Sequence, residues 1–95
     1  MVKYIHDLDS IFACLSDPIR RDIISKVAEC EYLVGELVTF YDVSFADISK
    51  HVKILERAGL VDKRKDGKRR LIRLAPGALQ PADDYIKRFM SGVES

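Results

Sequence analysis

Residues 44–74 hold the pattern that most restricts the fold. Ser44 opens an amphipathic stretch, and Asp47 follows three residues on as an aspartate version of the capping box. Phe45, Ile48, Val52 and Leu55 then recur at helical spacing. At about 100° per residue they fall within an arc of about 80°, which predicts one buried face. Ala46, Lys50, Lys53 and Arg57 occupy the opposite face, and Ala58-Gly59 supplies the stop. The next two runs, Leu60 to Lys65 and Lys68 to Leu74, flank Asp66-Gly67, a two-residue hairpin signal. With that loop, Val61 lies opposite Ile72 and Lys63 opposite Arg70. The hairpin base is then apolar and its outer half basic.

Charge is concentrated in the same segment. Residues 48–73 contain ten Lys or Arg and three Asp or Glu, a net +7. The other 69 residues hold six and twelve, a net −6. The chain's total of +1 therefore conceals one basic third, the distribution expected where a single surface meets a polyanion.

The flanking segments read as helices. Asp9 to Ser16 carries Ile11, Phe12 and Leu15 at helical spacing, predicting a first helix over about 8–16. Asp17-Pro18 restarts the chain, because Asp suits an N-cap and Pro at N1 gives up only an N–H that has no helical partner. A second helix runs to about Glu29 with Ile19, Ile23, Ile24 and Val27 on one stripe. Cys30 to Leu33 leads to a short third helix, Val34 to Tyr41, and Asp42-Val43 turns into the helix that Ser44 caps. After the hairpin, Pro76-Gly77 punctuates the chain. A last helix, about 79–91, presents Leu79, Ala82, Tyr85, Ile86, Phe89 and Met90. The expected fold is mainly α with a small β-hairpin: a single winged helix-turn-helix domain over residues 1–95, with about five helices. Its recognition helix spans about 44–58 and its two-stranded wing about 60–74.

This architecture predicts a double-stranded DNA partner. The capped helix fits a major groove and points N–H groups at phosphate, while the hairpin reaches along the backbone. Candidate DNA contacts are Ala46, Ser49, Lys50, His51, Lys53 and Arg57 on the helix, and Lys63, Arg64, Lys65, Lys68, Arg69 and Arg70 on the wing. His51 sits beside the buried stripe, where a backbone or phosphate hydrogen bond or packing at the helix–wing junction is expected. With 95 residues the core is thin, so a second copy of the chain is an expected source of burial. No run approaches the ~20 apolar residues of a membrane span, and Met1 to Ser10 lacks the apolar core of a leader. Two cysteines, Cys14 and Cys30, are too few for a disulfide scaffold, so the cytoplasm is the expected compartment. The chain shows no nucleophile–base pair, phosphate-cradling glycine loop or catalytic carboxylate pair, and no enzyme is expected.

The run Leu15-Ser16-Asp17-Pro18-Ile19-Arg20-Arg21-Asp22-Ile23-Ile24 resembles the opening of the ArsR-type (ArsR/SmtB-like) repressors. So does Ile48-Ser49-Lys50-His51-Val52-Lys53-Ile54-Leu55-Glu56-Arg57-Ala58-Gly59-Leu60-Val61, which is similar to that family's stretch from recognition helix to wing. Gly67-Lys68-Arg69 followed by Leu71-Ile72-Arg73-Leu74 is similar to its wing. The resemblance covers roughly Leu8 to Phe89. It implies a homodimeric repressor that binds a palindromic operator and is released by an effector. It also implies a dimer interface on the terminal helices, here Ile11, Phe12, Leu15, Leu79, Tyr85, Ile86 and Phe89.

Departures from the family pattern narrow the effector. Its metal-sensing members carry Cys-Val-Cys where this chain has Leu33, Val34 and Gly35, and a second family site uses Asp and His on the last helix. Asp83 and Asp84 are present, but no His follows His51. Neither a metal site nor another cofactor is expected, and the residues name no effector. At the start of the recognition helix, Phe45, Ala46 and Asp47 replace the family's frequent Gln and Ser, Thr or Pro. Ser49 and Lys50 remain the family-matched base or phosphate contacts, with Lys53 behind them. A dimeric winged-helix adaptor without DNA affinity is the alternative reading.

Overall fold

The computed structural model describes the backbone of residues 3–94 and the side chains of residues 8–90. Part of the Met1–Ser10 segment read for a leader lies outside the described residues. The order is α1 (Lys3–Leu15), α2 (Pro18–Glu29), α3 (Val34–Val38), α4 (Phe45–Arg57), β1 (Val61–Asp66), β2 (Arg69–Leu74) and α5 (Gln80–Glu94). Among the described residues there are thus five helices and one antiparallel hairpin, as expected.

Two arginines fix the corner between α1 and α2. Asp17 caps α2, its Oδ1 accepting from the N–H groups of Ile19 and Arg20 at 2.8 and 3.1 Å. Arg20 then turns back on α1, donating from Nε to the Cys14 carbonyl at 2.9 Å and from Nη2 to the Ala13 carbonyl at 3.1 Å. Arg21 donates to the Leu15 carbonyl at 2.6 Å. The last carbonyls of α1, which lack helical partners, are satisfied this way. The two N–H donors, that of Arg20 foremost, hold the Asp17 carboxyl below the usual carboxylate range.

The third helix is shorter than the predicted Val34–Tyr41. It ends at Val38, and Thr39, Phe40 and Tyr41 continue as single turns, each N–H bonded to the carbonyl three residues back. Tyr41 leaves the helical path to reach α2, where its hydroxyl donates to Asp22 Oδ2 at 2.7 Å. Lys26 donates to the same oxygen and lies 4.6 Å from the centre of the Phe40 ring. Lys26 first, then Tyr41, lower the Asp22 carboxyl, while burial and then Asp22 push the Tyr41 phenol up.

The core centres on Ile23, Leu37, Ile48, Val52, Leu55, Leu60, Val61 and Ile72, all fully buried. Helix α4 therefore buries Ile48, Val52 and Leu55 as its spacing predicts, but not Phe45, which is 58% exposed. Phe45 is the first residue of α4 and overhangs the end of the core. Gly59 stops the helix at φ 77°, donating to the Glu56 carbonyl while Leu60 donates to that of Leu55, the two bonds of a Schellman motif.

The hairpin is registered two residues away from the expectation. Val61 pairs with Leu74, Lys63 with Ile72, and Asp66 with Arg69, so Gly67-Lys68 forms the loop. Gly67 carries the positive φ, 65°, at the first loop position, where a type II′ turn requires it. A slip of two preserves the face of every side chain, so Val61 and Ile72 still reach the core. Tyr32 adds a single bridge to Ile72, through bonds of 3.1 and 2.7 Å, and stitches the α2–α3 connection to the wing.

Candidate nucleic-acid interface

Ser44 Oγ accepts from the Asp47 N–H at 3.1 Å and fixes the start of α4. From there the predicted helix contacts run outward from the core. Ala46, Lys50, Lys53 and Arg57 are exposed and Ser49 is half-buried. His51 is half-buried and turned toward α2, where Arg20 Nη1 donates to its Nδ1 at 3.3 Å. Arg20 offers only donors, so this bond needs an unprotonated Nδ1. The ring thus joins α4 to the α1–α2 corner rather than to the helix–wing junction.

The wing cations divide into two groups. Lys63 pairs with Glu56 of α4 at 3.5 Å, and Arg64 with Glu31 of the α2–α3 connection at 2.7 Å. Arg69 pairs with Asp66 at 2.8 Å across the turn, and this partner holds the Asp66 carboxyl low. Arg73, outside the predicted set, pairs with Asp62 at 2.5 Å. These pairs hold the hairpin against the body and across its own ladder. Lys65, Lys68 and Arg70 are exposed and take part in no ion pair among the described residues, and the same holds for Lys50, Lys53 and Arg57 of α4. Six cations therefore remain available to an anionic ligand.

The terminal helices form a second surface. Phe12 meets Tyr85 edge-on at 5.9 Å between ring centres, and Tyr85 meets Phe89 at 5.1 Å. Tyr85, Ile86, Phe89 and Met90 are all exposed. Three residues predicted for a dimer face lie elsewhere or partly so. Ile11 is 3% exposed and belongs to the chain's own core, and Leu79 is half-buried against that core. Leu15 likewise packs partly inward. They face the body because α1 packs on α2 as well as on α5, and the chain entering α5 lies against the same core.

The residues weighed as metal ligands have other surroundings in the structure. Leu33 caps α3, its N–H donating to Glu36 Oε1 at 2.8 Å, and Gly35 offers no side chain. Cys14 is buried with its thiol on the Ile54 carbonyl, and burial pushes that thiol's pKa up, while Cys30 is exposed. These donors do not fit a thiolate metal site. Among the described residues no group of three His, Cys, Asp or Glu side chains is placed to hold a metal ion, and no helix is long and apolar enough to cross a membrane.

The sequence model described as "Bacterial regulatory protein, arsR family" matches residues 17–63, from the cap of α2 into β1. The HTH-type transcriptional regulator Rv2034 of Mycobacterium tuberculosis is 36% identical over 81 residues, covering 85% of this chain and 76% of that protein. This chain belongs to the arsR family. It is a winged helix-turn-helix transcriptional regulator. The crystal structure of an ArsR family transcriptional regulator superposes with a TM-score of 0.86 at 25% identity, covering 100% of this chain and 98% of the other. The transcriptional repressor SdpR of Bacillus subtilis is 24% identical over 84 residues, covering 88% of this chain and 93% of that protein.

Proposed function

We propose that this arsR-family chain is a homodimeric repressor that acts in the cytoplasm on a palindromic operator in duplex DNA, without a metal effector and without catalysis. The observation that carries the reading is the set of six cations on α4 and the wing without an ion pair, whereas six of the other nine cations among the described residues are paired with a carboxylate. A helix with Lys50, Lys53 and Arg57 exposed beside a hairpin with Lys65, Lys68 and Arg70 exposed is suited to a groove and its flanking phosphates.

Surface area supports the dimer. The chain exposes 6446 Å², whereas a compact monomer of 10.8 kDa exposes about 5,500 Å². The chain therefore leaves more surface open than a compact monomer of its mass does. The radius of gyration, 14.8 Å, likewise exceeds the roughly 12 Å of a compact chain of this length. Phe12, Tyr85, Ile86, Phe89 and Met90 supply the apolar part of that surface. A two-fold dimer then presents two α4 helices to two half-sites.

The test is selection of bound fragments from a pool of random duplexes at low salt. Enrichment of an inverted repeat with half-sites about one helical turn apart is the expected result. No enrichment, with no binding to any duplex, would replace the repressor by the adaptor.

A further inference from the structure

Phe45 is the anomaly of the basic surface. It stands first in α4 and is 58% exposed, among the most exposed large apolar side chains of the described residues. The core does not use it, no described aromatic ring stacks on it, and no cation lies over it. Nor does it belong to the aromatic surface of α1 and α5. It sits instead at the end of the helix from which Lys50, Lys53 and Arg57 project.

The surroundings specify what such a ring can meet. At about 100° per residue, Phe45, Ser49 and Lys53 form one row along α4, with Ala46 beside it. The first turn therefore offers a ring, a methyl group and the Asp47 carboxylate, which has no ion-pair or hydrogen-bond partner among the described side chains. It carries no cation, and Asp47 repels phosphate. The cations begin one turn later. A helix arranged this way holds the backbone with its middle and directs its apolar start at base edges. The one apolar group on the major-groove edge of the four bases is the C5-methyl of thymine.

We propose that Phe45 is a specificity-determining residue that packs its ring on a thymine C5-methyl group in each operator half-site. The assignment rests on the DNA-binding reading above and adds to it the base and the atom recognised. It also accounts for an exposed aromatic in a position where a polar residue would cost the free protein less.

The experiment uses the full chain and the duplex enriched from the random pool. Each thymine of a half-site is replaced in turn, on both half-sites, by deoxyuridine, which lacks only the methyl group. One methyl contact is worth about fourfold in affinity per half-site. The wild type is expected to lose about that factor per half-site at one thymine position, and Phe45→Ala to be indifferent to the same replacement. Phe45→Leu, which keeps an apolar contact, is expected to retain part of the discrimination. Circular dichroism checks that the variants fold, which the exposure of Phe45 favours. Selected half-sites without thymine, a wild type indifferent to deoxyuridine at every position, or a Phe45→Ala variant as sensitive as wild type would each overturn the assignment while leaving DNA binding intact. Failure of the wild type to bind any duplex would overturn the repressor reading and this assignment together.

Discussion

The two exposed surfaces of this molecule differ in what they leave unsatisfied. On α1 and α5 the unsatisfied groups are aromatic and aliphatic: Phe12, Tyr85, Ile86, Phe89 and Met90. On α4 and the wing they are cations, and the wing's other cations are tied to Glu56, Glu31, Asp66 and Asp62. An apolar surface gains by excluding water against a partner of matching shape, and the gain hardly changes with salt. A cationic surface gains by displacing counterions from a polyanion, and that gain falls steeply as salt rises. The same small domain therefore presents one face suited to protein and another suited to nucleic acid. Salt and single substitutions should separate them.

The largest expected effect comes from placing a charge on the aromatic surface. Ile86→Asp or Phe89→Asp should give monomers by light scattering and weaken operator binding by more than tenfold, because a monomer engages one half-site. Since both side chains are exposed in the single chain, helix content should be kept. A stable monomer that binds the operator as tightly as wild type would break the link between the two surfaces.

Next in size is a substitution in the core behind the basic surface. Leu55 is fully buried under α4, and Leu55→Ala should lower unfolding stability by about 2–5 kcal/mol in urea. A loss below about 1 kcal/mol would mean that the core under the helix is looser than its burial implies.

A smaller effect concerns the α1–α2 corner that supports both faces. Asp17→Ala should cost about 1 kcal/mol at neutral pH through the lost cap. The Asp17 carboxyl is lowered in the folded state, so its contribution is full above the unfolded value near pH 4 and fades as pH falls through the folded value. The gap between wild type and Asp17→Ala should accordingly narrow on going from pH 5 to pH 2. A gap independent of pH would assign the effect to something other than the ionised cap.

The finest comparison lies within the wing. Lys68→Ala removes a cation without an ion pair and should weaken binding to all duplexes alike, reducing the salt slope by about one per subunit. Arg64→Ala removes a cation already paired to Glu31 and should reduce the slope less. Equal slopes for the two variants would show that the ion pairs open on binding.

Much of this was legible in the residues themselves. Asp17-Pro18, Ser44 and Gly59 mark helix ends, and each does so in the structure by the bond its chemistry favours. The hairpin's existence was legible too, but its register differs from the one the turn signal predicts. Asp66-Gly67 is a strong turn signal, yet that loop would set Lys65, Arg64 and Lys63 opposite Lys68, Arg69 and Arg70. The observed register instead places Asp66 against Arg69 and Asp62 against Arg73. Cross-strand charge was thus the available signal, since like charges opposite one another destabilise a ladder. Phe45 misled for another reason: spacing places it beside the buried stripe, but a first-turn residue can overhang the core that its helical neighbours fill. The Tyr32 bridge and the Arg64–Glu31 pair join segments far apart in the chain, and no local pattern announces them. Nor could spacing separate Ile11, which serves the chain's own core, from Phe12 beside it, which does not.

The central claim is that the basic surface of α4 and the wing holds duplex DNA in a two-chain complex. The direct test is the affinity of the wild type for its selected duplex, measured by fluorescence anisotropy across a range of salt, with the mass of the complex measured in parallel. If three or four of the six unpaired cations per subunit reach phosphate, log K should fall against log salt with a slope of about −5 to −7, at two chains per duplex. A slope near zero, or no complex at low salt, would contradict it.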